Sequence, residues 1–189
     1  MPAWRGWYHV NGNTYGTWLP GDPRGWRARH HKEHVEGDYR NPPPAGLYEG
    51  LHTRAQVLMR GDEVHLTEDQ RRIAGQAVVA KLCQLDVEPI ALSVGAVHYH
   101  VLARFLSDDV RRLVGLAKKH AWFALRDIGF SGTLWAKGCR VLPVRDRAHQ
   151  VNVYGYICRH AQEGAWVWTY DQGLYWRANE SPPTAVGGK

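Results

Sequence analysis

The 189-residue sequence predicts an α+β fold: a ferredoxin-like split-βαβ sandwich with an antiparallel sheet, a further C-terminal helix and a long insert after the first strand. Three observations predict it. The run Ala96 to Phe105, AVHYHVLARF, has the β-branched and aromatic residues of a strand. Two segments, opening at Thr67 and Ser107, carry apolar residues at helical spacing behind helix-capping residues. Strand-like segments stand before, between and after them, so the order is strand, helix, strand, strand, helix, strand, helix. In that topology the first and third strands lie side by side at the centre of the sheet.

Trp4 to Val10 reads as the first strand. Residues 11–66 follow as a loop insert, in which PGDPRG, RARHHKEH and NPPPAG are too rich in Pro, Gly and charge for an element interior. A loop of that length is usually functional or disordered. Thr67 is an N-cap candidate with Gln70 at the capping-box position and Glu68 and Asp69 in the first turn. Ile73, Ala77, Val78 and Leu82 give that helix its apolar spacing, and it should stop near Asp86. Pro89 precedes a strand over Ile90 to Val94, and Gly95-Ala96 permits a tight reversal into the strand that ends near Leu106. Ser107 and Asp108 cap a helix over about 109–128, with Val110, Leu113, Leu116 and Ala117 as its apolar stripe. Cys139 to Val144 reads as a strand, and Arg147 to about Glu163 as a third helix that Gly155 weakens and Gly164 ends. Residues 1–180 are expected to form one domain and 181–189 a disordered tail.

The formal net charge of +6 and a pI of about 9.4 suit a polyanionic partner such as nucleic acid. Candidate contacts are Arg24 and Arg27 in the insert and Arg111, Arg112, Lys118 and Lys119 in the second helix, although such a charge run is also what a solvated helix face shows. Most of the nine Trp are expected in the core; aromatic rings interleaved with Arg can also stack on unpaired bases. The three cysteines, Cys83, Cys139 and Cys158, have no paired spacing, which argues against a disulfide framework and a thiolate zinc site and fits a reducing cytoplasm. The start PAWRGWYHV has no signal pattern, and no apolar run approaches the roughly 20 residues that span a membrane.

His98 and His100 flank Tyr99, so on a strand the two imidazoles share one face and Tyr99 points into the opposite layer. Two imidazoles so placed can bind one divalent metal ion; they can also be plain polar residues on a wet sheet face. On the third helix Tyr156 and His160, at i and i+4, lie about 40° apart around the axis. His160 is therefore a candidate third ligand and Tyr156 a candidate nucleophile. A phenol has a pKa of ~10, a handicap at neutral pH that a metal polarising a phosphodiester partly removes. Tyr154 is the rival nucleophile. His9, on the first strand, is either a support for the site or a structural residue, and the RARHHKEH cluster is more readily a solvated or polyanion-facing segment than a metal site.

VHYH after a strand, a basic helix with LAKKH, then LWAKGCRVLPV and YICRHAQEGAW, together resemble the single-tyrosine HUH transposases. The opening WYHVNGNTYGTWLPGD is similar to a form found in the REP-associated tyrosine transposase branch. The resemblance covers most of residues 4 to 167 apart from the insert, and its strength lies in the ordered set of motifs. It implies a metal-dependent single-stranded DNA endonuclease and strand transferase, acting beside a hairpin through a covalent 5′-phosphotyrosine intermediate. It implies His98 and His100 as the HUH ligands, Tyr156 as nucleophile, magnesium or manganese as the metal, and a monomer or homodimer. Where the family commonly has Gln or Asn four residues after the tyrosine, this chain has His160, and where Asn often precedes the first HUH histidine it has Val97. An imidazole in place of an oxygen ligand favours softer divalent ions than magnesium. The alternative, from another class, is a domesticated DNA-hairpin-binding protein without cleavage activity.

Overall fold

A computed structural model describes residues 3–24, 26, 41 and 43–172. The whole RARHHKEH segment, which begins with Arg27, and the tail 181–189 lie outside the described residues. In chain order the elements are β1 (Trp7–Asn13), α1 (Glu49–Val57), α2 (Glu68–Gln84), β2 (Glu88–Val94), β3 (His98–Arg104), α3 (Val110–Arg126), β4 (Arg140–Pro143), α4 (Arg147–Arg159) and β5 (Trp166–Thr169). The chain divides into two compact units. One holds the chain up to Gly12, Leu66–Ser131 and the chain from Gly138 on; the other holds Asn13–His65 and Gly132–Lys137.

The first unit is an α+β sandwich on a five-stranded antiparallel sheet of order β4-β1-β3-β2-β5. β1 and β3 are neighbours, as the split-βαβ order requires. The β2–β3 hairpin pairs Val94 with Tyr99, Ser93 with His100 and Leu92 with Val101, and slips register between Pro89 and Ala91. Pro89 lacks an N–H for the ladder, which fits an irregularity there. Thr67 caps α2 with the full reciprocal box: its side chain accepts from Gln70 N at 3.3 Å, and Gln70 Oε1 accepts from Thr67 N at 3.0 Å.

The two faces of the sheet bury different layers. Ala91, Leu102, Val144, Val153 and Ile157 form the apolar cluster under α4, with Trp4, Trp7, Ile90 and Tyr154 packed against it. Tyr99 points the other way, beneath α3, where the Lys118 ammonium lies 5.9 Å from its ring centre. α2 and α3 pack together on that side. The strict alternation of β3 thus sends His98, His100 and Leu102 toward α4, and Tyr99, Val101 and Ala103 toward α3.

Three differences from the sequence reading have physical causes. Trp4–Gly6 is a 3-10 turn rather than the start of β1, with Arg5 in left-handed backbone at φ 49°. The stretch 11–66, expected as loop throughout, contains the end of β1 and the nine-residue α1. α1 buries no residue and its N-terminus has no side-chain cap, so no apolar stripe announced it. Finally, β5 adds a fifth strand beside β2, pairing Ser93 with Val167 and Leu92 with Trp168.

The second unit is held by a short bridge between Thr14 and Trp135, by Tyr15 N to Leu134 O at 2.9 Å and by Val64 N to Tyr15 O at 2.9 Å. Within it Asp22 is almost fully buried, and Arg24 Nε donates to it at 2.8 Å. Among the described residues, no helix is long and apolar enough to cross a membrane.

Candidate metal and nucleophile site

Two strands and one helix build the site. β3 supplies His98 and His100, the adjacent β1 supplies His9, α4 supplies Tyr156, and the 3-10 turn His160–Glu163 that continues α4 supplies His160. α4 is fixed at its N-terminus by Asp146, whose carboxylate accepts from His149 N at 2.7 Å. It is fixed along its length by Val153 and Ile157, both buried against the sheet. Residues 149, 153, 156 and 160 follow one helical stripe, so the stripe that anchors α4 also carries Tyr156 and His160 to the imidazoles.

One ligand atom from each of His98, His100 and His160 lies within 4.8 Å of the others. Ring centres are 5.2 Å apart for His98–His100, 5.2 Å for His98–His160 and 4.6 Å for His100–His160. The Tyr156 ring stands edge-on to both buried imidazoles, 5.2 Å from His100 at 90° and 4.6 Å from His160 at 88°. Tyr156 is 41% exposed while His100 and His160 are buried, so the phenol closes the cluster on its solvent side.

Three of these imidazoles, those of His100, His98 and His9, are pushed toward the neutral form. Burial depresses His100 to about 2, with the neighbouring imidazoles of His9, His160 and His98 adding to the effect. Burial likewise lowers His98, with His160 adding to it and Glu163 opposing it. His9 falls to about 4, through burial first and then through His149, Arg140 and His160. A neutral imidazole keeps the lone pair that a metal needs. His160 Nδ1 lies 3.0 Å from the Tyr156 carbonyl, which can only accept, so Nδ1 carries a proton and Nε2 is the atom that could serve as a ligand. His9 Nε2 lies 2.9 Å from His100 Nδ1, with the two rings stacked at 28°. The imidazoles of His98, His100 and His160, with two of the Nδ1 atoms engaged by the protein, form a donor set that could hold one divalent ion.

A solved structure of a REP-associated tyrosine transposase bound to a REP hairpin is similar to this chain at 13% identity, covering 100% of this chain and 95% of its own, with a TM-score of 0.49. No family model matches the chain, and no curated protein does.

The other residues singled out from sequence fall elsewhere. Arg111, Arg112 and Lys119 are exposed on α3, across the sheet from the imidazoles. Arg112 is bonded to Asp109, and Lys119 lies over the Phe123 ring. Lys118 is half-buried and donates to the Gly138 carbonyl at 2.7 Å, and burial lowers its ammonium. Arg24 is bonded to Asp22 and lies over Trp18. Tyr154 packs into the cluster between α4 and the sheet, and burial raises its phenol. A basic residue on the imidazole face that the sequence reading passed over is Arg140. It is paired with Asn11, two residues along β1 from His9, and therefore projects from the same face. The alternation of β4, with Leu142 opposite His9, is the signal that would have found it.

Proposed function

We propose that the protein is a metal-dependent single-stranded DNA endonuclease and strand transferase that works through a covalent phosphotyrosine. The observation that carries this reading is a half-exposed phenol set edge-on against a cluster of three imidazoles. His98, His100 and His160 would hold the ion, and a divalent ion there supplies charge that draws electron density from a phosphodiester and favours the phenolate. The Tyr156 oxygen attacks phosphorus, its proton leaves to solvent, and the bond to the 3′-oxygen breaks. One strand end is then joined to Tyr156 through its 5′-phosphate, and the other ends in a free 3′-hydroxyl. Attack by a 3′-hydroxyl in the reverse sense rejoins strands without a nucleotide cofactor, because the phosphodiester count is conserved.

The imidazole set suits manganese better than magnesium, since imidazole is a softer donor than oxygen. Arg140 serves the phosphates nearest Tyr156, and Arg111, Arg112 and Lys119, across the sheet, serve DNA further away. The substrate is single-stranded DNA with an adjacent hairpin, consistent with the resemblance carried by VHYH, LAKKH and YICRHAQEGAW. The setting proposed is cytoplasmic. The test is a denaturing gel of the protein with 3′-end-labelled, hairpin-bearing oligonucleotides and manganese. A labelled band at the mass of protein plus fragment is expected. Tight hairpin binding with no such band would favour the non-cleaving hairpin-binding protein instead.

A further inference from the structure

His9 lies outside the ligand cluster, yet it is buried and reaches one member of it directly, Nε2 to His100 Nδ1 at 2.9 Å. It stands on β1, next to β3 in the sheet, so its position is set by the strand ladder and not by α4. Its ring lies nearly parallel to that of His100, 5.2 Å between centres, which restricts rotation of both. In a bond between two neutral imidazoles one nitrogen donates and the other accepts, and the choice decides the chemistry. If His100 Nδ1 donates, its Nε2 keeps a lone pair; if Nδ1 accepts, the proton sits on Nε2 and the residue cannot ligate. An imidazole in water prefers its proton on Nε2, so His100 needs an acceptor at Nδ1 to hold the other tautomer. His160 has one in the Tyr156 carbonyl.

We propose that His9 is a positioning residue for the metal site: its Nε2 accepts the Nδ1 proton of His100 and so reserves the Nε2 lone pair of His100 for the ion shared with His98 and His160. The proposal rests on the metal-site reading above. Placing the acceptor on a central strand orients His100 before α4 contributes anything. A histidine in this place also supplies an acceptor without a negative charge, so the net charge of the loaded site stays that of the ion and its phosphate.

The tautomer is read directly from long-range proton–nitrogen NMR spectra of the metal-free, histidine-labelled protein, assigned with His100→Gln. His100 should show the proton on Nδ1. His9→Phe, which keeps an aromatic ring but has no acceptor, should return the proton to Nε2. His9→Gln, whose side-chain oxygen accepts, should keep it on Nδ1. Calorimetric titration of the same proteins with manganese chloride should show roughly a 10- to 100-fold loss of affinity in His9→Phe and a clearly smaller loss in His9→Gln. Melting curves report whether each variant is folded, and if His9→Phe is not, the native tautomer and His9→Gln carry the test. A native His100 protonated on Nε2 would overturn the proposal, as would a folded His9→Phe with unchanged manganese affinity. A His9→Gln as weak as His9→Phe would overturn the acceptor role too. A native protein that binds no manganese would instead overturn the metal-site reading, while the spectra still decide the His9–His100 bond.

Discussion

Replacing Tyr156 by phenylalanine removes one hydroxyl and leaves the ring in place 5.2 Å from His100 and 4.6 Å from His160. The side chain is 41% exposed, so the stability change should stay within about 0.5 kcal/mol, or about 1–2 °C in Tm for a chain of this size. DNA affinity should fall by no more than one neutral hydrogen bond, about 0.5–1.5 kcal/mol, which is roughly two- to tenfold in Kd. The covalent step depends on that oxygen entirely, because the phosphotyrosine cannot form without it. Native protein, Y156F and Y154F are compared on a denaturing gel with the 3′-end-labelled oligonucleotide and manganese, and binding is measured separately by fluorescence anisotropy. The adduct should vanish in Y156F and persist in Y154F, since Tyr154 points about 200° away around α4 and packs into the apolar cluster. An adduct in Y156F, or its loss in Y154F alone, would refute the assignment of the nucleophile.

Three further outcomes are expected. His160→Gln replaces an imidazole nitrogen with an amide oxygen and should shift cleavage from a manganese preference toward magnesium, measured as the ratio of initial rates at equal metal concentration; an unchanged ratio would place His160 outside the coordination shell. Arg140→Ala should slow adduct formation and weaken oligonucleotide binding, whereas Lys119→Ala should flatten the salt dependence of binding by about one counterion and leave the covalent step intact; the reverse pattern would put the scissile phosphate on the α3 side. Gly75→Ala sets two effects against each other. A helix interior gains about 1 kcal/mol from Ala over Gly, but a Cβ at Gly75 would lie 2.2 Å from the Trp166 ring, and overpacking of that kind costs about 1–3 kcal/mol. A lower Tm in calorimetry is expected, and a rise would show that Trp166 gives way freely.

What the sequence disclosed depended on whether a local signal sufficed. The capping box at Thr67 and Gln70 is local, and α2 begins where it says. The His98–Tyr99–His100 alternation is local too, and it divides those side chains between the two layers. Tyr156 and His160 share a face by helical spacing alone, but their approach to β3 depends on how α4 packs, which the resemblance supplied and spacing did not. β5 was missed because four residues, WVWT, define a strand only once β2 offers an edge some seventy residues earlier in the chain. Trp166, whose ring fills the space that Gly75 leaves open, shows the same dependence on a distant partner. The basic residues of α3 were legible as a charged face, but the layer that face belongs to follows from the sheet order, and it is the layer of Tyr99 rather than of the imidazoles.

The bond from His160 Nδ1 to the Tyr156 carbonyl ties the third imidazole to the backbone of the residue that carries the phenol, across the turn where α4 passes into the 3-10 segment. The imidazole and the Tyr156 backbone keep one spacing while that turn stays wound. Lifting that turn off the sheet would withdraw the Tyr156 oxygen and the His160 imidazole in the same motion, leaving His98 and His100 on β3. In the proposed strand transfer, nucleophile and third ligand would therefore arrive and leave together.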